Sequence, residues 1–479
     1  MTRGWKQALA VSAITIGTAS TAAQDGKSTL TAAVDRYKQQ AERTALQIWD
    51  FAEVGYQETK SSALLQQQLR DAGFTVQANV AGMPTGFVAS YGSGKPVIGI
   101  LAEFDALPGI TQEAKPERVP ASGKDAGHAC GHHLFGTAST FAAIAVKDWI
   151  AQGKHPGTIR VYGTPAEEGG AGKVYMVREG LFKDVDVVLH WHASDRNDAS
   201  HSTSLANKSA KFRFHGVSAH AAGAPERGRS ALDGVEAMNH MVNLMREHVP
   251  QETRIHYVIT DGGSAPNVIP DFAEVFYYVR HPDPLQVQAI FERVEKAAQG
   301  AALGTGTRVE HEIIHGIYAV LPNEPLARAM DGNLRRVGGV TYDATERAFA
   351  TTLRKSLGEN VPPVEQAAEI APFEFYRSGG STDVADVSWV VPTVGLRTAT
   401  WVPGTPSHSW QAIAAGGTTI GLKGMMVAAK TLALTAVDLM TNPKLVEDAT
   451  AAYRKQIPAG WTYRPLLGNR KPPLDYRKK

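Results

Sequence analysis

Apolar positions from residue 28 onward recur near the helical period, with Leu30, Ala33, Tyr37, Ala41, Ala45 and Trp49 on one face, which predicts a helix over 28–54. Short apolar runs then alternate with helical patterns: 97–101, a helix near 134–149, 158–163, 175–180 and 185–191. Continuous apolar strands between helices predict a sheet covered on both faces, the core of an α/β catalytic domain.

From about Asn207 the rhythm changes. A strand over 210–216, a helix over 230–247 and strands over 253–260 and 273–280 are followed by a helix over 285–301 and a strand over 307–315. That order, βαββαβ, is the order of a ferredoxin-like unit. Helices and glycine-bounded apolar strands resume after about Asn323, with a strand over 390–395 and a helix over 421–439. The expected organisation is a catalytic domain in two pieces, 24–206 and 323–479, interrupted by an inserted domain over 207–322. The stretch from Pro458, rich in proline, lysine and arginine, is expected on the surface.

Composition narrows the function. At 479 residues the chain is too long for one ordinary core. Lys and Arg number 49 against 47 Asp and Glu, which gives no electrostatic case for nucleic acid. No uninterrupted apolar run of about 18 residues occurs in the interior, which argues against a multi-pass membrane protein. The single cysteine excludes an intrachain disulfide. Residues 1–23 differ from the rest: Arg3 and Lys6 precede a small-residue apolar run ending at Ala22-Ala23, after which the chain turns polar. This reads as a secretory signal, so the expected destination is the periplasm or the medium, with no membrane attachment after cleavage. Without that segment the charges balance, 47 against 47.

Five places concentrate metal-capable side chains: Glu103-Phe104-Asp105, His128-Ala129-Cys130-Gly131-His132-His133, Glu167-Glu168, His190-Trp191-His192, and His408 within Pro406-Ser407-His408. Four of the five fall at predicted strand ends or in glycine-punctuated loops, where ligand sites of open α/β sheets lie. Thiolate, imidazole and carboxylate are the donor set of zinc and its first-row neighbours. Paired carboxylates allow one to bind metal while the other takes a proton. Each residue also has a plainer reading. Cys130 alone fits an inert buried residue, Glu167-Glu168 the first turn of a helix, His192 a satisfied core histidine, and His408 or Asp105 turn chemistry. All of these would have to hold together to defeat the site.

With these residues in view, AEFDALPG, HACGHH, GTPAEEGGAGK, WHAS, SAHAAGAPERGRSALD and TPSH resemble the di-metal amidohydrolases of the aminoacylase/carboxypeptidase G superfamily. The branch resembled holds the auxin–amino acid conjugate hydrolases and the p-aminobenzoyl-glutamate hydrolases. The likeness runs from about Asp35 to about Pro473. It implies a zinc-exopeptidase-like catalytic domain, a mixed sheet flanked by helices, with the ferredoxin-like insertion as dimerisation and lid domain. It implies two divalent ions in each protomer, Zn2+ or Mn2+, with Co2+ as a further candidate. Cys130, His132, Glu168, His192 and His408 become the ligands, with Cys130 at or near the bridging place. Glu167 becomes the general base for a water between the ions, and Asp105 the acid that orients a ligand. His220, reaching across a homodimer, together with Asn267, Arg280 and Gly380, becomes a substrate contact. Many relatives have Asp or Asn where this chain has His133, which leaves His133 as an extra nitrogen ligand or as an outer partner of His132.

The expected activity is hydrolysis of the amide bond of an N-acyl amino acid such as p-aminobenzoyl-glutamate, with a second type of hydrolase subunit as a further partner. An aromatic acyl side is suggested by Trp191, Trp389, Trp401 and Trp410 near the motifs. Three rivals stay open: a dipeptidase or carboxypeptidase of the same mechanism, a catalytically silent carboxylate-binding protein, and a thiol hydrolase using Cys130 with His128 or His132.

Overall fold

The computed structural model describes residues 28–478, so the export-signal reading of 1–23 lies outside the described residues. Strands β1 (Thr75–Ala78), β2 (Phe87–Ser93), β3 (Val97–Ala102), β4 (Gly157–Gly163) and β5 (Val187–Ser194) precede the insertion. Strands β6 (Ala206–His215), β7 (Arg254–Asp261), β8 (Phe272–His281) and β9 (Arg308–Ile317) belong to it, and β10 (Thr393–Ala399) follows.

The larger sheet has the order β1-β2-β4-β3-β5-β10. Its β4, β3, β5 and β10 run parallel, while β1 and β2 are antiparallel additions at one side. Strand β3 is buried along its whole length, as its continuous apolar run requires. Helix α1 (His132–Gly153) packs against the late helix α4 (Thr419–Thr441), and both are buried along most of their length. The length and apolarity of α4 would suit a membrane span, but 83% of its most apolar stretch is buried inside the protein. The parallel register pairs Ala102 with Gly163 and His192 with Arg397, so the loops after β3, β4 and β5 leave the sheet along one edge. This is the crevice at the carboxyl ends of the strands.

The insertion folds as the sequence order dictates. Its antiparallel sheet has the order β7-β8-β6-β9, the ferredoxin-like arrangement, with helices α2 (Ala231–Met245) and α3 (Pro284–Thr305) across it. Ser230 caps α2 by accepting from the Asp233 N–H, and Asp283 with Pro284 starts α3. The insertion has its own apolar core, built from Phe212, Phe214, Tyr277, Phe291 and their neighbours.

Three expectations need correction, and two strands are unanticipated. The 28–54 helix is broken at Tyr37 into 28–36 and Lys38–Phe51. The 175–180 run belongs to a short buried helix, Gly172–Arg178, because Ala171 turns the chain with a φ of 58°. Strands β1 and β2 carry no continuous apolar run, being half exposed at the sheet margin, and escape a pattern search. The stretch from Pro458 is partly internal: Leu466 and Leu467 are each only 3% exposed.

Candidate metal centre

Five loops converge on a cleft of about 630 Å³, lined by both the catalytic domain and the insertion. Cys130 arrives on the turn before α1, where Gly131 adopts a φ of 76°. A Cβ there would stand 2.4 Å from the Ala193 Cβ, so glycine is required for the turn that aims Cys130 and His132 at one point. The Cys130 Sγ, a His132 nitrogen and a His192 nitrogen lie within 4.8 Å of one another. A second triplet, Cys130, Glu168 and His408, meets the same limit. Cys130 is common to both. A third group, Glu103, His132 and Glu167, adjoins the first through His132.

Each donor is oriented by a partner behind it. Asp105 is buried after β3, with its Oδ1 2.9 Å from His132 Nδ1, which leaves His132 Nε2 on the side of Glu103. The other Asp105 oxygen accepts from the Glu168 N–H at 2.9 Å. His192 Nδ1 stands 2.7 Å from the Ala193 carbonyl, which fixes its tautomer and turns Nε2 to within 3.3 Å of Cys130 Sγ. The His408 N–H donates to the Ala129 carbonyl, and its ring Nε2 stands 3.1 Å from Glu168 Oε1.

Glu167 and Glu168 lie on a turn and not in a helix, since the next helix begins at Gly172. Ala166 takes a φ of 57°, and its N–H donates to the buried Glu58 at 2.8 Å. Burial, followed by Glu103, Glu168 and Asp383, pushes the Glu167 carboxyl well above its ordinary value. Burial opposes ionisation of Asp105, but His132 outweighs it and holds that carboxyl low. Burial and then Glu168 push the Cys130 thiol well up, so a thiolate here depends on a cation. Burial, and then His132, pushes His192 down to about 3, which leaves a neutral imidazole lone pair.

Beneath these donors lies a charged network in which the sequence points to Glu103 but not to its partners Lys173 and Asp383. The fully buried Lys173 ammonium bonds Glu103 at 2.7 Å and Asp383 at 2.6 Å, and Glu103 reaches His132 Nε2 at 3.1 Å. Adjacency to the Glu167-Glu168 loop is the only sequence signal for Lys173. Asp383 has none beyond the neighbouring glycines.

The remaining candidates separate. Arg280 and Gly380 line the cleft. His220 and Asn267 sit together on the exposed end of the insertion, linked by the Ala221 N–H to the Asn267 carbonyl, and are not among the residues lining this chain's cleft. His133 turns away from the donors: its Nε2 stands 3.0 Å from the Gly416 carbonyl and its ring 4.9 Å from that of His128. The geometry supports neither an extra ligand nor an outer partner at His133. Trp191, Trp389 and Trp401 are buried core residues and Trp410 packs against the core, so the tryptophan argument for an aromatic acyl group falls. Tyr278, Tyr376 and Phe135 are the aromatic residues of the cleft wall.

Fold and site together define a metallo-amidohydrolase of the M20 peptidase type, a two-piece catalytic domain carrying a dimerisation domain. Residues 206–305 match the peptidase dimerisation domain model. The chain belongs to the p-aminobenzoyl-glutamate hydrolase family: it is 40% identical to the B component of that hydrolase from Escherichia coli over 472 residues, covering 91% of this chain and 98% of the relative. The Xaa-Arg dipeptidase of Mus musculus is 29% identical, covering 89% and 92%. Among solved structures, a dinuclear metal-binding M20 peptidase of Bacillus subtilis shares the fold, with a TM-score of 0.59 and 18% identity over 85% of this chain and 99% of that one.

Proposed function

We propose that this chain hydrolyses the amide bond of N-acyl amino acids bearing a free carboxylate, p-aminobenzoyl-glutamate among them, with Glu167 as the proton carrier. One observation carries the reading: two donor triplets share one thiol, and the Glu167 carboxylate adjoins them through His132.

The residues fit two divalent ions. His132 Nε2 and Glu168 Oε1 are buried and make no well-aligned hydrogen bond, although other donor atoms, of Glu103 and His408, stand 3.1 Å from them, and both residues belong to triplets that share Cys130. Cys130, His132 and His192 would hold one ion, and Cys130, Glu168 and His408 the other. Zn2+ and Mn2+ are the candidates, then Co2+, and the thiolate favours zinc. Bound ions would supply Lewis acidity toward the amide carbonyl and lower the pKa of water. The chain's own residues do the rest. Glu167 takes the proton from the attacking water and hands it to the departing amine nitrogen, so the C–N bond breaks and the acyl carbon keeps the water oxygen as a carboxylate. Asp105 holds the His132 ring, and the Arg280 guanidinium takes the substrate carboxylate. Gly380 leaves room beside it.

The assembly we infer is a homodimer through the insertion. Among the described residues the outer strand β7 has no neighbour on one side, and it exposes Tyr257, Val258 and Ile259, an edge suited to pairing with a second copy. His220 and Asn267 then serve the partner's cleft. A second type of hydrolase subunit is a further partner by analogy with the Escherichia coli relative, whose name marks it as one component of a larger hydrolase. Export through residues 1–23 would place the reaction in the periplasm or the medium.

The test uses the protein stripped of metal and reloaded with zinc or manganese, given p-aminobenzoyl-glutamate and a panel of N-acyl amino acids, beside Glu167→Ala. Metal-restored release of amino acid that Glu167→Ala abolishes is the expected result. Activity that survives chelation and dies on thiol alkylation would replace this reading with a thiol hydrolase.

A further inference from the structure

The segment 466–478 runs from the insertion to the metal centre as a strap. Leu466 and Leu467 close over Gly316 at the end of β9, where a Cβ would stand 2.5 Å from the Leu467 nitrogen. Arg470 donates to the Ile313 carbonyl at 3.1 Å, where the register of β9 slips. Arg178 then donates to the Arg470 carbonyl, the Tyr175 hydroxyl to the Lys471 carbonyl, and Gln57 to the Leu474 carbonyl. The strap ends on the loop of the proton carrier. The Tyr476 hydroxyl and Arg477 both donate to the Glu168 carbonyl, at 3.0 and 2.8 Å. Tyr476 fits there because residue 55 is glycine: a Cβ on Gly55 would stand 2.2 Å from the hydroxyl.

Arg477 thereby becomes part of the cleft wall, together with Arg280 and Arg397. Among the described residues none of these three guanidiniums has a carboxylate within 4.0 Å. Arg280 lies over the Tyr278 ring with its Nε buried and unpartnered, and Arg397 lies over the Tyr376 ring. Arg477 is anchored through one nitrogen to the Glu168 carbonyl. His315 lines the same cleft beside Arg280 and Arg477. A planar guanidinium held at one end by a neutral carbonyl, with no carboxylate partner among the described residues, is arranged to receive a carboxylate.

We propose that Arg477 is a specificity residue that takes a second, side-chain carboxylate on the leaving amino acid, while Arg280 takes the α-carboxylate. The class selected is the N-acyl dicarboxylic amino acids. This rests on the amide-hydrolase reading above, and the test separates the two. The metal-loaded enzyme and its R477Q and R477K variants are given p-aminobenzoyl-glutamate and p-aminobenzoyl-glutamine, which differ in that one charge. R477Q is expected to lower kcat/KM for the glutamate conjugate about 10- to 100-fold more than for the glutamine conjugate, with the difference mainly in KM. R477K should recover part of the loss. Equal losses on both conjugates, or no loss on either, would overturn the proposal. If the wild type turns over neither conjugate, the hydrolase reading fails. Calorimetric binding of free glutamate against free glutamine to the zinc-loaded wild type and R477Q then decides the role of Arg477: a glutamate preference lost in R477Q supports it, and any other pattern overturns it.

Discussion

Asp105 grips His132 through an Oδ1–Nδ1 contact of 2.9 Å inside a fully buried pocket. Its other oxygen is bound to the Glu168 N–H, so one carboxylate sets the geometry of two loops that carry donors. Asp105→Asn keeps the volume but replaces an acceptor with an amide that donates. The expected result is a loss of about 10- to 100-fold in metal affinity. Competition of the variant and the wild type for zinc against a chromophoric chelator measures it, and unchanged affinity would remove Asp105 from the orienting role.

The two triplets divide the metal content. His408→Ala removes a donor from one triplet only, and His192→Ala from the other only. Elemental analysis after dialysis should find close to one ion per chain in either variant, and close to none in Cys130→Ala, which both triplets need. Equal content in all three would mean that Cys130 is not shared.

Among the described residues Lys173 is the cation that bridges Glu103 and Asp383, and all three are buried. Lys173→Met keeps the stem and strands two carboxylates in the interior. A buried pair broken on one side costs about 3–5 kcal/mol, which chemical denaturation would read. A loss below about 1 kcal/mol would mean that water enters the network and solvates both carboxylates.

Asp386 gives a pH dependence distant from the donors. Burial is the main cause that raises its carboxyl from 3.8 to about 7, against hydrogen bonds from Tyr463 and the Tyr318 N–H. The folded state therefore holds this proton more tightly than the unfolded chain. Its contribution to stability is greatest below the unfolded value, falls as the pH climbs from about 4 to about 7, and is flat above, by an amount on the order of 4 kcal/mol. The stability difference between wild type and Asp386→Asn should shrink by that amount across the window. A difference independent of pH would contradict it.

The donors are legible in the sequence because their residue types are rare in combination: a lone cysteine two positions from a histidine, paired glutamates, and histidines at strand ends. The insertion is legible because its strands and helices have clean periods and sound caps, as at Ser230 and Asp283. The hidden parts depend on pairings distant in sequence. Lys173 and Asp383 lie 210 positions apart, and neither announces its partner. Tyr476 and Arg477 sit in a polar stretch whose composition reads as surface, and only Gly55 and the Glu168 carbonyl give them a place. Strands β1 and β2 stay hidden because a half-exposed margin needs no apolar run.

Strand β10 pairs with β5, although the whole insertion and more lie between them along the chain. During synthesis, at roughly 5–20 residues per second, β1 to β5 and the Cys130–His132–His192 triplet emerge well before β10 and His408 exist. The growing chain thus carries half of its metal centre on a sheet with one raw edge, and it must hold that edge safe from wrong partners until the final third arrives.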